Sequence, residues 1–199
     1  MAAPVAPPTF ADEFDDPRVD TTKWRYDTDF NAQGWFNHEL QYYSARRPRN
    51  VRIKDGVLVI EAHRERLSKS QFTDWGGQDY TSGKLVTRGD YGYGFYEVRA
   101  KLPCGRGMWP AIWLLPDGGT WPDEGEIDLM EMVGWDPNVV HATLHTGAFN
   151  HRLNTQRGAQ VTIASACTAF HRYQLSWTPD AITIGVDDRA YMRVANDQP

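Results

Sequence analysis

The chain reads as an all-β fold, a sandwich or a barrel, and three observations predict it. Short segments that alternate apolar and polar residues recur along the chain, separated by Gly, Pro and Asp. One of them, "NVRIKDGVLVIEAHRE", breaks in its middle at Asp55-Gly56, a dipeptide suited to the left-handed corners of a two-residue hairpin. Helical periodicity is missing: only "PAIWLLP" is compatible with a helical turn, and a proline bounds it on each side.

In chain order, the hairpin over 50–65 is followed by "TSGKLVTRG", "YGFYEVRAKLP" and "WPAIWLLP", then by "GEIDLMEMVG" and "VVHATLHTG". "HRYQLSWTPD" and "AITIGVDDRAYMRV" close the series. Many short strands with turn signals between them form sandwiches or barrels. There is no internal repeat, low-complexity linker or shift in composition, so residues 1–199 are read as one domain.

Composition narrows the function. With 41% hydrophobic and 24% charged residues, the chain is ordinary for a soluble globular protein. A net charge of -5, with no basic block beyond "ARRPR", argues against a nucleic-acid partner. No run of eighteen apolar residues exists, so no membrane span is expected, and "MAAPVAPPTF" lacks the charge and apolar run of a signal peptide. Cys104 and Cys167 could form one disulfide or remain two buried thiols, with the thiol reading slightly ahead. Eight Trp and nine Tyr suit a surface that stacks on flat, uncharged ligands.

The chemistry concentrates in "WPDEGEIDLMEMVGWDP". On a strand, Glu126 and Asp128 share one face while Ile127 and Leu129 turn to the core. Strict alternation would send Glu131 into the core. One extra residue at Leu129-Met130, a β-bulge, returns it to the acidic face, and bulges favour active sites. Three carboxyls in such a row cannot all ionise without cost, so at least one should have a raised pKa. A protonated acid beside an ionised carboxylate is what glycoside hydrolysis requires, with the pair about 5–5.5 Å apart in a retaining enzyme. The alternative is a charged surface strand or a cation site; the interleaved apolar residues favour catalysis. Asp123 and Glu124, in the preceding turn, are read as solvated.

At these residues the chain resembles glycoside hydrolase family sixteen, whose signature is Glu-x-Asp-x-x-Glu. Further blocks follow in the family's order: "DEFD", "NHELQYY", "KDGVLVIEA", "YTSGKLVTRG", "YGFYEVRAKLP", "GMWPAIWLLP" and "HRYQLSWTPDAITIGVDD". The resemblance implies a β-jelly-roll sandwich of two antiparallel sheets with a concave substrate cleft. It makes Glu126 the nucleophile, Glu131 the acid/base and Asp128 the residue that modulates the nucleophile. The bulged motif with "WPAIWLLP" is most similar to the laminarinase group of endo-β-1,3-glucanases. The rivals are a hydrolase of mixed-linkage glucan, agarose or carrageenan, and a non-catalytic glucan-binding module, against which the presence of both glutamates counts.

Trp109 and Trp113 share a strand face with Ala111 and are read as sugar platforms, and Trp121 resembles the family tryptophan next to the scissile bond; core burial is the alternative for each. Asn37 and Arg88 match positions that hydrogen-bond glucose hydroxyls, although His38 departs from the family's "NNE" block. "HATLH" presents His141, Thr143 and His145 on one face; a zinc reading fails because the context is β and no His-Glu-x-x-His occurs. By resemblance, His145 contacts Glu131 or the leaving sugar. No cofactor is required, while a structural calcium on the convex side would draw on Glu13 of "DEFD". The partner implied is a β-glucan bound by a monomer, secreted or periplasmic. Relatives continue beyond the point where "ANDQP" ends, so a longer enzyme is expected, with these residues weakly active or inactive alone.

Overall fold

The computed structural model describes residues 6–196, which leaves the first residues of "MAAPVAPPTF" and the last of "ANDQP" outside the described residues. The chain divides into two compact units, 8–90 and the remainder from Tyr91 onward. Among the described residues no helix is long and apolar enough to cross a membrane.

In the 8–90 unit the strands are β1 (Trp24–Tyr26), β2 (Gln41–Tyr43), β3 (Val51–Lys54), β4 (Val57–Ile60), β5 (His63–Arg64), β6 (Tyr80–Ser82) and β7 (Leu85–Thr87). The expected hairpin joins β3 to β4 through Asp55 (φ 54°) and Gly56 (φ 71°), both left-handed as a type I′ turn requires. β1 pairs antiparallel with β7, whereas β2 pairs parallel with β6. The interior of this unit is held by buried amides as well as apolar packing. Asn31 Nδ2 donates to the Tyr43 carbonyl and to Asp74, and the Trp35 indole donates to Asn31 Oδ1. Asn50 Nδ2 donates to the Glu61 carbonyl and to Thr81. A buried amide left unpaired costs roughly 1–3 kcal/mol, so these bonds are what permits the polar interior.

The other unit contains β8 (Gly94–Ala100), β9 (Ala111–Leu114), β10 (Glu126–Glu131), β11 (Val139–His145), β12 (Arg157–Thr162), β13 (His171–Trp177), β14 (Ala181–Val186) and β15 (Arg189–Ala195). They form two four-stranded antiparallel sheets, ordered β12-β11-β10-β9 and β15-β14-β13-β8. Their inner faces share one apolar core: Leu129, Met130, Met132, Val140 and Leu144 from the first sheet, with Tyr173, Leu175, Ile184 and Met192 from the second. This is the antiparallel β-sandwich of the jelly-roll class that the sequence predicts.

Two readings need correction. Cys104 and Cys167 are joined in a disulfide rather than kept as thiols, since the fold brings their Cα atoms to 5.6 Å, within bridging range. Strand β12 goes unrecognised in the sequence because it lies at a sheet edge, where only Ala159 and Val161 turn inward and the rest is polar or glycine.

Candidate active site

The register around β10 locates the bulge. On one side Asp128 pairs with Trp113, Met130 with Ile112 and Glu131 with Ala111; on the other Asp128 pairs with Thr143 and Glu131 with His141. Between Asp128 and Glu131, β10 therefore uses one residue more than either neighbour. Ala111 and Trp113 lie on the outer face of β9, and Ile112 and Leu114 on the inner. Asp128 and Glu131, paired with the former, share that outer face, while Leu129 and Met130 both turn to the core, each 1% exposed. The bulge expected at Leu129-Met130 is where the register shifts.

Each glutamate receives an indole N–H. Trp121 Nε1 donates to Glu126 Oε2 at 2.6 Å, and Trp109 Nε1 donates to Glu131 Oε1 at 3.0 Å. Asp128 lies between them, 3% exposed, with His145 Nε2 at 3.4 Å from its Oδ2. His145 thus faces Asp128, and the residue across from Glu131 on β11 is His141. Among the described residues, the buried Nδ1 of His145 has no hydrogen-bond partner.

All three carboxyls are held above their usual range. Burial pushes Glu126 up to about 7, with the charge of Asp128 adding to the rise and the Trp121 N–H opposing it. Burial, then the charge of Glu131, pushes Asp128 up to about 7. Glu131 is raised by burial, against the Trp109 N–H. The row therefore holds protons near neutral pH, and carboxylic acid and carboxylate can coexist in it.

Glu126, Asp128 and His145 offer ligand atoms within 4.8 Å of one another, the one such group among the described residues. A divalent cation would need both carboxylates ionised, which their burial opposes. The indole N–H already on Glu126 Oε2 further suits a proton-sharing site. Glu13 is exposed and belongs to no such group.

Trp109 and Trp113 are 47% and 37% exposed on the acid-bearing side of β9. Trp121 is half-buried, with the His145, His151 and Arg152 side chains gathered 4.6–5.7 Å from its ring. His151 and Arg152 escape sequence reasoning because they come from a turn, where no periodicity marks them. Trp135, 74% exposed in the turn after β10, was likewise not singled out. Asn37, Arg88 and Glu13 belong to the 8–90 unit. Asn37 is exposed in a left-handed conformation (φ 56°), and Arg88 Nε donates to the Thr21 carbonyl.

The sequence profile of glycosyl hydrolases family 16 matches residues 38–199. The chain belongs to this family. A relative named beta-glucanase, from Rhodothermus marinus, is 49% identical over 197 residues, covering 95% of this chain and 65% of the relative. A glucan endo-1,3-beta-glucosidase of Cryptopygus antarcticus is 35% identical over 171 residues, covering 84% of this chain and 62% of its own length. The chain thus spans somewhat less than two thirds of these relatives. Among solved structures, SCLam, a non-specific endo-beta-1,3(4)-glucanase, is 55% identical with a TM-score of 0.94, covering 99% of this chain and 75% of that one. A mutant of SCLam presents 1,3-beta-D-cellobiosyl-glucose at its active site.

Proposed function

We propose that this chain is the catalytic part of a retaining, endo-acting hydrolase of β-1,3-glucan. The observation that carries the reading is the bulged acid row of β10, with an indole N–H on each glutamate. In this reading the Glu126 carboxylate attacks the anomeric carbon while Glu131 gives its proton to the departing glycosidic oxygen. A glycosyl ester on Glu126 results. Glu131, now a carboxylate, takes a proton from water, whose oxygen attacks the same carbon and releases Glu126. Asp128, whose charge raises the Glu126 pKa, modulates the nucleophile from the middle of the row.

Trp109, Trp113 and Trp121 offer aromatic faces and edges to the sugars, and His145 orients Asp128. The names of the relatives support β-1,3-glucan as substrate, and the non-specific β-1,3(4) activity named for SCLam makes mixed-linkage glucan a second substrate worth assaying. The Cys104–Cys167 bond supports a secreted or periplasmic enzyme, since disulfides persist in oxidising compartments. Monomeric action and a structural calcium drawing on Glu13 complete the proposal; chelation followed by a melting scan tests the calcium.

Glu126→Gln and Glu131→Gln should each cost about three or more orders of magnitude in turnover on laminarin with the fold intact. A fluorinated glycoside should trap on Glu126, and NMR should show retention at the anomeric carbon. Net inversion, or labelling confined to Glu131, defeats the assignment. Agarose or carrageenan depolymerised faster than laminarin defeats the substrate reading.

A further inference from the structure

The 8–90 unit contains a cavity of about 310 Å³ whose lining includes Thr21, Trp24, Tyr26, Arg25, Arg46 and Arg88, and no acidic residue. Three arginines around one opening are unusual in a chain of net charge -5. They are not equally neutralised. Arg25 Nη1 stands 3.8 Å from both Asp27 and Asp29. Arg46 and Arg88 form no ion pair among the described residues, whereas Arg47, Arg49 and Arg52, close by in sequence, each pair with a glutamate. The Arg88 Nε–H is spent on the Thr21 carbonyl, which fixes the guanidinium and leaves its terminal nitrogens available.

Arg46 is held in a left-handed conformation, with φ at 52°. Its charge acts on the Tyr26 phenol, opposing the rise that burial causes there. Alternation along β1 puts Trp24 and Tyr26 on one face and Arg25 on the other. Trp24 is itself engaged, its ring against Phe10 and Phe14 and its indole N–H on Asp12, so the cavity combines the Tyr26 ring with two guanidiniums that form no ion pair among the described residues. A neutral hydroxyl engages one N–H, but two planar forks match the two or more oxygens of a carboxylate or sulfate.

We infer that this cavity binds the oxyanion of an acidic saccharide, a uronate carboxylate or a sulfate ester, between Arg46 and Arg88, with the sugar ring against Tyr26. This goes beyond the glucanase reading, in which Arg88 meets a neutral hydroxyl, and does not depend on it.

The test is an NMR titration of the ¹⁵N-labelled chain, read at arginine Nε–H and tryptophan indole signals, at constant ionic strength. The titrants are glucuronic acid, glucose 6-sulfate, glucose and inorganic sulfate. At least one acidic sugar should saturate the site about ten-fold more tightly than glucose or free sulfate, and the tighter of the two identifies the oxyanion. Arg46→Gln and Arg88→Gln should each weaken that binding about ten-fold, and Arg46→Lys, which keeps the charge but loses the fork, by less. The exposed Arg189→Gln serves as the control and should bind as the parent does. Acidic sugars no tighter than glucose, no tighter than inorganic sulfate, or unaffected by both Arg46→Gln and Arg88→Gln overturn the inference. A parallel laminarin assay separates the two readings: hydrolysis without acidic-sugar binding defeats this inference alone, and acidic-sugar binding by a chain extended with a relative's C-terminal strands that still leaves laminarin uncut defeats the glucanase reading alone.

Discussion

Asp128→Asn removes a negative charge from beside Glu126 while keeping a side chain that can donate a hydrogen bond. Since the Asp128 charge adds to the rise of Glu126 to about 7, its removal should lower that pKa. Glu126 then stays ionised to lower pH, so the acid limb of the kcat/KM profile on laminarin should move downward; an unmoved limb argues against the coupling. Stability follows the opposite logic to that of an ordinary surface carboxylate. Glu126 binds its proton more tightly folded (about 7) than unfolded (4.5), so its contribution is full below 4.5 and is lost as pH rises through about 7. Glu126→Gln has no such proton to lose. It should melt higher than the parent at pH 8, by on the order of 1–3 kcal/mol after allowing for its partial exposure, and alike at pH 4. A gain of equal size at both pH values would reject this account. Glu126, the nucleophile of the proposed mechanism, is then a residue whose presence costs stability above about pH 7.

At the scale of the strand, the bulge sets which side chains meet. Inserting one alanine after Met130 should turn Glu131 into the core, because the side-chain period is two, and abolish hydrolysis while the acids upstream stay in place. Gly134 is a second constraint on this element: a Cβ there would come within 1.7 Å of the Gly105 carbonyl oxygen. Gly134 N–H also donates to the Met108 carbonyl, beside Trp109. Gly134→Ala should therefore push the Trp109 segment away, weaken the N–H on Glu131 and lower both melting temperature and turnover; a fully active variant would contradict this. The bulge was legible in the sequence because three acids had to share a face for any chemistry to follow. The Asp55-Gly56 hairpin was legible because its signal is local. The parallel pairing of β2 with β6 was not, since nothing near either strand encodes a partner some forty residues away. The same holds for His151 and Arg152 around Trp121, which are brought there by the path of a turn.

At the scale of the chain, one covalent bond spans what the local pattern cannot. Cys104 and Cys167 lie 63 residues apart, so closing that loop removes freedom from the unfolded chain worth about 4 kcal/mol in the loop-entropy account. Reduction, or the paired change to serine, should lower the melting temperature by several degrees without altering the sheets; an unchanged melting curve would show that the bond carries no load. Cys104 also opens the short segment that ends at Trp109, whose indole meets Glu131. Loosening that segment should reduce turnover before the protein unfolds. A batch prepared in a reducing cytosol and one exported through an oxidising compartment would then share every residue yet differ in heat tolerance and specific activity. Mild air oxidation should bring the first up to the second, and a thiol count on the starting material would forecast how far.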